Sequence, residues 1–193
     1  MYKKFIKRFL DIVLSSAALL IFAVPMVIFA IIIKLEDHGP VFFMQKRIGI
    51  HKKHFMIYKF RTMKTSAPHD LATHLFPDSG RYLLKCGTWM RLYSIDELPQ
   101  LINILKGDMA IVGPRPALWN QFDLLEERDK YGANDIKPGL TGWAQIQGRD
   151  AVPDSEKARL DGEYVKHESF LFDLLCVLKT FGRVLTHDGV KNN

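Results

Sequence analysis

Cysteine is scarce: the 193 residues hold only Cys86 and Cys176. They are too few and too far apart for a disulfide framework, and neither sits in a Cys-x-x-Cys or Cys/His ligand pattern, so both read as ordinary thiols of a reducing compartment. The seven histidines show no zinc spacing. His51 and His54 merely flank Lys52 and Lys53 in a surface turn, and zinc is not expected. No internal repeat or low-complexity run occurs, and neither glycine-rich loop matches a nucleotide-binding fingerprint.

The most informative absence is charge. Between Asp11 and Lys34 no residue is charged. Ile12 to Ile33 is long enough to cross a bilayer core as a helix. It exceeds the apolar region of a cleavable signal, and no small-residue cleavage site follows it. Pro25 lies just past its middle and removes one backbone donor. Lys3, Lys4, Lys7 and Arg8 precede the segment, and Lys34, Lys46, Arg47, Lys52 and Lys53 follow it. Positive charge on both flanks conflicts with simple spanning, where Lys and Arg gather on one side. A helix that enters, bends at Pro25 and leaves on the same side removes the conflict.

What is present is also unevenly placed. Residues 1–64 carry 12 Lys/Arg and 3 Asp/Glu, a net +9; the remainder carries 15 and 18, a net −3. A basic first third beside an apolar segment suits lipid headgroups, nucleotide phosphates or both. The length leaves room for one membrane element, residues 1–36, and one compact domain, residues 37–193. Val41–Ile48 and Phe55–Arg61 have the pattern of short strands joined by the turn Gly49–His54. Period two places Phe55, Ile57, Lys59 and Arg61 on one face. Thr65–Ser79 is polar and reads as a loop. Ser155–Tyr164 and Ser169–Leu185 read as helices, the second rich in large apolar residues.

The stretch Arg91-Leu-Tyr-Ser-Ile-Asp-Glu-Leu-Pro-Gln-Leu101 sets two adjacent carboxylates, Asp96 and Glu97, near a helix start. Ser94-x-x-Glu97 matches a capping box, although Pro99 leaves the carbonyl of Ile95 without a donor. Either the first turn is distorted or the helix begins nearer Pro99, with Ile102 and Leu105 as its apolar face. Taken alone, the acids read as helix-cap residues. Arg91, Arg115 on the stiff loop Gly113–Pro116, and Lys59 with Arg61 change that reading. Together they are a set suited to phosphate: one carboxylate can attack phosphorus, its neighbour can help hold a metal, and the cations neutralise charge. The loops 113–116 and 138–142 are open to two readings, ordinary connections or amide nests for phosphate or sugar oxygens.

Several blocks then occur in one order: Lys7-Arg8-Phe-Leu-Asp11, the apolar segment with Pro25, Gln45-Lys-Arg47, Tyr58-Lys-Phe-Arg-Thr-Met63, Ser94-Ile-Asp-Glu-Leu-Pro-Gln-Leu101, Ile111-Val-Gly-Pro-Arg-Pro116 and Pro138-Gly-Leu-Thr-Gly-Trp-Ala-Gln145. Over nearly its whole length the chain resembles the bacterial sugar transferases, the monotopic polyprenyl-phosphate phosphoglycosyl transferases, in their minimal catalytic form.

The resemblance implies an α/β (α+β) fold: a small helix-rich catalytic domain with short strands, carried on a re-entrant membrane helix and interfacial amphipathic helices. The site would face the cytoplasm at the bacterial inner membrane. It implies transfer of a sugar-1-phosphate from a UDP-sugar to undecaprenyl phosphate with release of UMP. Asp96 matches the nucleophile of a covalent phosphosugar intermediate, and Glu97 its partner in the dyad, linked with magnesium (Mg²⁺) and acid–base work. Arg91 and Arg115 match phosphate-binding arginines. Lys59 and Arg61 fall in a block kept near the site, and Asp161 and Tyr164 carry over as substrate-binding positions, with Asp173 nearby. Lys7, Arg8 and Pro25 belong to the membrane element. The family commonly has serine where Val24 precedes Pro25, so a hydroxyl that could bond a freed carbonyl at the bend is missing here. An apolar surface near the membrane suits a homodimer. A membrane-attached assembly module without catalysis would not need the dyad. A nucleic-acid partner is not expected, since no nucleic-acid motif is present and the apolar segment would go unexplained.

Overall fold

The computed structural model describes residues 2–67, 79–148 and 152–186. The polar stretch expected as a loop over Thr65–Ser79 falls largely outside them. One 30-residue helix, α1 (Lys7–Glu36), carries the whole apolar run, with Pro25 inside it. Proline offers no N–H, so the carbonyl of Ile21 loses its helical donor there. By length and composition α1 could cross a membrane, and Leu20, Ile21 and Val24 are more than two-thirds exposed.

Both ends of α1 rest on the same folded domain. At its start Arg8 donates to the carbonyls of Ile104 and Leu105 at 2.5 and 2.8 Å, and Asp11 accepts the Ile111 N–H at 2.9 Å. At its end Ile33 is buried against Phe60, Leu84 and Met90. Glu36 accepts the N–H groups of Lys85 and Cys86 at the start of α2 (Lys85–Leu92). These carboxylate contacts cover donors that the first turn of α2 leaves without a helical partner.

The domain is mixed and helix-rich. Strands β1 (Phe42–Ile48) and β2 (His54–Phe60) form an antiparallel hairpin in which Phe43 opposes Lys59 and Gln45 opposes Ile57. Their bounds lie within a residue of those the sequence pattern predicts. Helix α3 (Gln100–Lys106) packs on β2 through Ile57, Leu101, Ile104 and Met109, with Ala18 and Leu19 of α1 closing that cluster. The buried apolar residues of α3 are thus Leu101 and Ile104. Ile102, expected on the apolar face, is exposed. The helix does begin beside Pro99, one of the two starts open from the sequence, but packing against β2 selects the Leu101–Ile104 side.

Strands β3 (Ala110–Val112) and β4 (Gly139–Thr141) pair in parallel, with α4 (Phe122–Asp129) in the connection between them. Helices α5 (Trp143–Gly148), α6 (Asp154–His167) and α7 (Phe170–Thr186) complete the domain. Tyr164 of α6 and Cys176 of α7 are buried with Val112 and Ile146. The opposite face of α7 exposes Phe170, Leu171, Leu174, Leu178 and Phe181, an amphipathic pattern.

Candidate active site

Asp96 and Glu97 sit in a single 3₁₀ turn, Ile95–Glu97, between α2 and α3. The predicted capping box does not form: Ser94 has left-handed backbone (φ 56°) and its side chain caps nothing. Pro99 explains this. Having no N–H, it cannot serve the carbonyl of Ile95. That carbonyl takes the Leu98 N–H at 3.1 Å instead, and regular helix waits until Gln100. A left-handed serine next to the acidic pair is a costly conformation held by its surroundings.

Around the dyad stand three cations from three elements. Lys59 of β2 donates to Glu97 Oε1 at 2.6 Å, and Arg115 lies 3.5 Å from the same oxygen. Arg91 at the end of α2 bonds the Thr62 hydroxyl at 2.9 Å; its burial pulls its pKa down, and the charge of Asp96 opposes that shift. Asp96 is half-buried and accepts no hydrogen bond from the described residues. Burial, opposed first by Lys59, pushes its carboxyl up to about 6; Glu97 adds to the rise, while Arg91 and Arg115 lower it. A carboxyl raised into this range with three cations around it is a functional signature.

Two devices fix the cations relative to the dyad. Asn103 of α3 is fully buried; its Oδ1 accepts the Tyr58 N–H at 3.0 Å and its Nδ2 donates to the Met56 carbonyl at 2.8 Å. The amide thereby acts as an extra strand partner, tying the helix behind the dyad to the strand bearing Lys59. Arg115 is fixed by its backbone. Three consecutive carbonyls are held: Pro114 by the Gly139 N–H at 2.8 Å, Arg115 by Arg128 at 3.0 Å, and Pro116 by Arg47 at 3.0 Å. The two Gly/Pro loops are also tied to each other. The Gly113 N–H donates to Thr141 and the Gly139 N–H to Pro114. A Cβ on Gly139 would meet Gly113 N at 2.1 Å, so only glycine permits the approach.

Five sequence-predicted positions lie elsewhere. Arg61, 5 % exposed, pairs with Asp37 and bonds the carbonyls of Asp37 and Pro40, fastening the exit of α1 to the end of β2. Asp161, 1 % exposed, pairs with Arg128 at 2.7 Å. Tyr164 is buried, its hydroxyl 2.6 Å from Asp173. Lys7 and Arg8 face inward: Lys7 reaches Asp173 at 2.5 Å and Tyr164 at 3.0 Å. None of these side chains contacts the dyad. Extended-strand alternation put Arg61 on the face of Lys59, but the strand ends at Phe60 and the alternation ends with it.

Arg128, Thr62 and Asn103 carry no individual mark in the sequence, and Arg47 stands out only as a cation flanking the apolar segment. Arg47 and Thr62 lie within the blocks quoted above. Arg128 hides in Glu126-Glu127-Arg128-Asp129, which has the look of a solvated helix face. Among the described residues no group of three or more His, Cys, Asp or Glu side chains is arranged to hold a metal; the dyad supplies two carboxylates.

A family model described as bacterial sugar transferase matches residues 2–187. The chain is 41% identical over 186 residues to an uncharacterized sugar transferase, EpsL, of Bacillus subtilis (strain 168), covering 96% of this chain and 90% of that one. It is 38% identical to a UDP-N-acetylgalactosamine-undecaprenyl-phosphate N-acetylgalactosaminephosphotransferase of Aeromonas hydrophila, and 38% identical to a UDP-glucose:undecaprenyl-phosphate glucose-1-phosphate transferase of Escherichia coli (strain K12). These matches cover 97% and 92% of this chain but only 45% and 39% of those longer proteins.

Proposed function

The chain belongs to the bacterial sugar transferase family, and from that premise we propose that it moves a sugar-1-phosphate from a UDP-sugar to undecaprenyl phosphate and releases UMP. The observation that carries this reading is Asp96: a half-buried carboxyl beside Glu97, within the field of Lys59, Arg91 and Arg115.

In the first step an Asp96 oxygen attacks the sugar-bearing phosphorus. A P–O bond forms as the bond to the bridging oxygen breaks, and UMP leaves with that oxygen. In the second step an oxygen of undecaprenyl phosphate attacks the same phosphorus and frees Asp96. Phosphoryl transfer asks the protein mainly for positioning and charge neutralisation, which the three cations supply. Asp96 and Glu97 would hold Mg²⁺, since two carboxylates completed by substrate phosphates are a donor set that suits it. When bound, the ion neutralises charge on the diphosphate.

The same geometry supports a re-entrant α1. A straight helix of its length would run about 45 Å, yet its two ends bind one domain. A bilayer cannot separate contacts made to one side of it. We place the domain on the cytoplasmic face of the inner membrane, where UDP-sugars are available.

Labelling tests the chemistry. Wild type incubated with a UDP-sugar radiolabelled in the sugar phosphate retains covalent label, and Asp96→Asn does not. Full turnover by a clean Asp96→Ala preparation ends the covalent route. Mg²⁺-dependent UMP release from a panel of UDP-sugars identifies the donor, and no release from any of them returns the chain to a non-catalytic assembly role.

A further inference from the structure

Lys7, Arg8 and Asp11 precede or open an apolar membrane segment, where charge ordinarily serves to meet lipid headgroups. Here all three turn inward. Lys7 is 9 % and Asp11 4 % exposed, and each has a partner in the catalytic domain. Residues 7, 8 and 11 share one side of a helix, and that side grips both halves of the candidate site.

One half is α3, which follows the dyad. Arg8 donates to its last carbonyls, those of Ile104 and Leu105, joining the Gly107 N–H, which reaches Ile104 at 3.0 Å, in closing the helix end. The other half is β3, which leads into the Arg115 loop. Asp11 accepts the Ile111 N–H. The Tyr164 hydroxyl lies 3.2 Å from the next carbonyl, Val112 O. That hydroxyl gives its one proton to Asp173 Oδ1 at 2.6 Å and accepts from Lys7 at 3.0 Å, with Tyr2 on Asp173 Oδ2 at 2.6 Å, so it packs against Val112 without bonding it. Beyond Val112 there is no slack, because a Cβ on Gly113 would sit 2.4 Å from the Lys137 carbonyl.

We infer that the first turns of α1 position the active site, Arg8 holding the dyad helix and Asp11 holding the strand that leads into the Arg115 loop. Arg8 and Asp11 are positioning residues acting through α3 and β3. This rests on the sugar-phosphate transfer proposed above.

The test uses the full-length protein in nanodiscs. Asp11→Ala lowers kcat for UMP release about 10- to 100-fold, the loss that a small misplacement produces, and leaves KM within about threefold. Asp11→Asn keeps an oxygen acceptor for Ile111 and restores most of the rate. In an Arg115→Ala background Asp11→Ala costs nothing further, as for two residues acting through one contact. Amide hydrogen exchange gives a readout independent of turnover: Gly113 and Arg115 exchange faster in Asp11→Ala and at the wild-type rate in Asp11→Asn. Asp11→Leu, close in size and without an acceptor, repeats the exchange test should Asp11→Ala fail to fold. Additive losses with Arg115→Ala, or unchanged exchange together with a changed bound fraction on anionic vesicles, overturns the inference in favour of a headgroup contact. Wild type that releases no UMP from any UDP-sugar defeats the functional reading alone, and the exchange data still decide the positioning.

Discussion

Arg128 holds the backbone carbonyl of Arg115 at 3.0 Å, and Asp161 neutralises Arg128 from behind at 2.7 Å. Both members of this ion pair are buried. Burial raises the Asp161 carboxyl, and Arg128 is the charge that opposes the rise. Removing one partner strands the other charge, at a cost of about 3–5 kcal/mol. Replacing both by apolar groups of similar volume avoids that cost but leaves the Arg115 carbonyl unheld. Arg128→Met alone therefore lowers the melting temperature sharply, and the pair Arg128→Met with Asp161→Leu recovers much of it. UMP release by the double variant stays about tenfold or more below wild type, since a displaced cationic group forfeits transition-state stabilisation. Recovery of both stability and rate would make the pair purely structural.

Asp96→Asn removes a carboxyl that folding disfavours. Its folded pKa of about 6 lies above its ordinary value, so its contribution to stability falls as pH rises from about 4 to about 6, and the penalty is fully present at pH 7. The neutral amide escapes it. The variant is expected to be more stable than wild type by about 1–3 kcal/mol at pH 7 and to gain little near pH 4, while losing transfer. Thermal melts at the two pH values check the sign.

The apolar run, the hairpin and the acidic pair were legible because each rests on local periodicity or adjacency. The dyad's surroundings were partly so: Lys59, Arg91 and Arg115 were named and converge on it, while Arg61, Asp161 and Tyr164 were named and do not. A buried polar group pairing inward and one facing the dyad look alike in sequence, and only three-dimensional partners such as Asp37, Arg128 and Asp173 separate them. The face of α3 failed for a different reason, since Leu101, Ile102, Ile104 and Leu105 offer more than one apolar side and packing against β2 selects Leu101 and Ile104.

Asn103 was invisible because it lies in a helix read for its aliphatic face. Its amide serves two backbone groups of β2, Tyr58 N–H and Met56 C=O. Asn103→Ala leaves both without their partner in a buried setting, which costs about 2–4 kcal/mol in total. Asn103→Asp keeps the acceptor for Tyr58 and loses the donor to Met56, and it also brings a second carboxylate towards Asp108, now 3.1 Å from the amide nitrogen. The aspartate variant is expected to be no more stable than the alanine one at pH 7 and to recover at low pH, where protonation removes the repulsion. Chemical denaturation at both pH values distinguishes the two.

Lys59 and Glu97 act on Asp96 with opposite sign. Lys59 is the strongest influence holding its pKa down, and Glu97 pushes it up. The carboxyl must be ionised to attack phosphorus, so kcat/KM for the UDP-sugar rises with pH through the Asp96 titration, near pH 6 in the free enzyme. Lys59→Gln removes a positive charge and frees Glu97 from its 2.6 Å contact. Both changes disfavour ionised Asp96, and the acidic limb moves to higher pH. Glu97→Gln removes a negative neighbour and moves it lower. Because both variants also lose rate, the titration is best followed directly, through the carbon-13 shift of a labelled Asp96 carboxyl. Shifts in the same direction for the two variants would mean that hydrogen bonding, and not charge, governs the nucleophile.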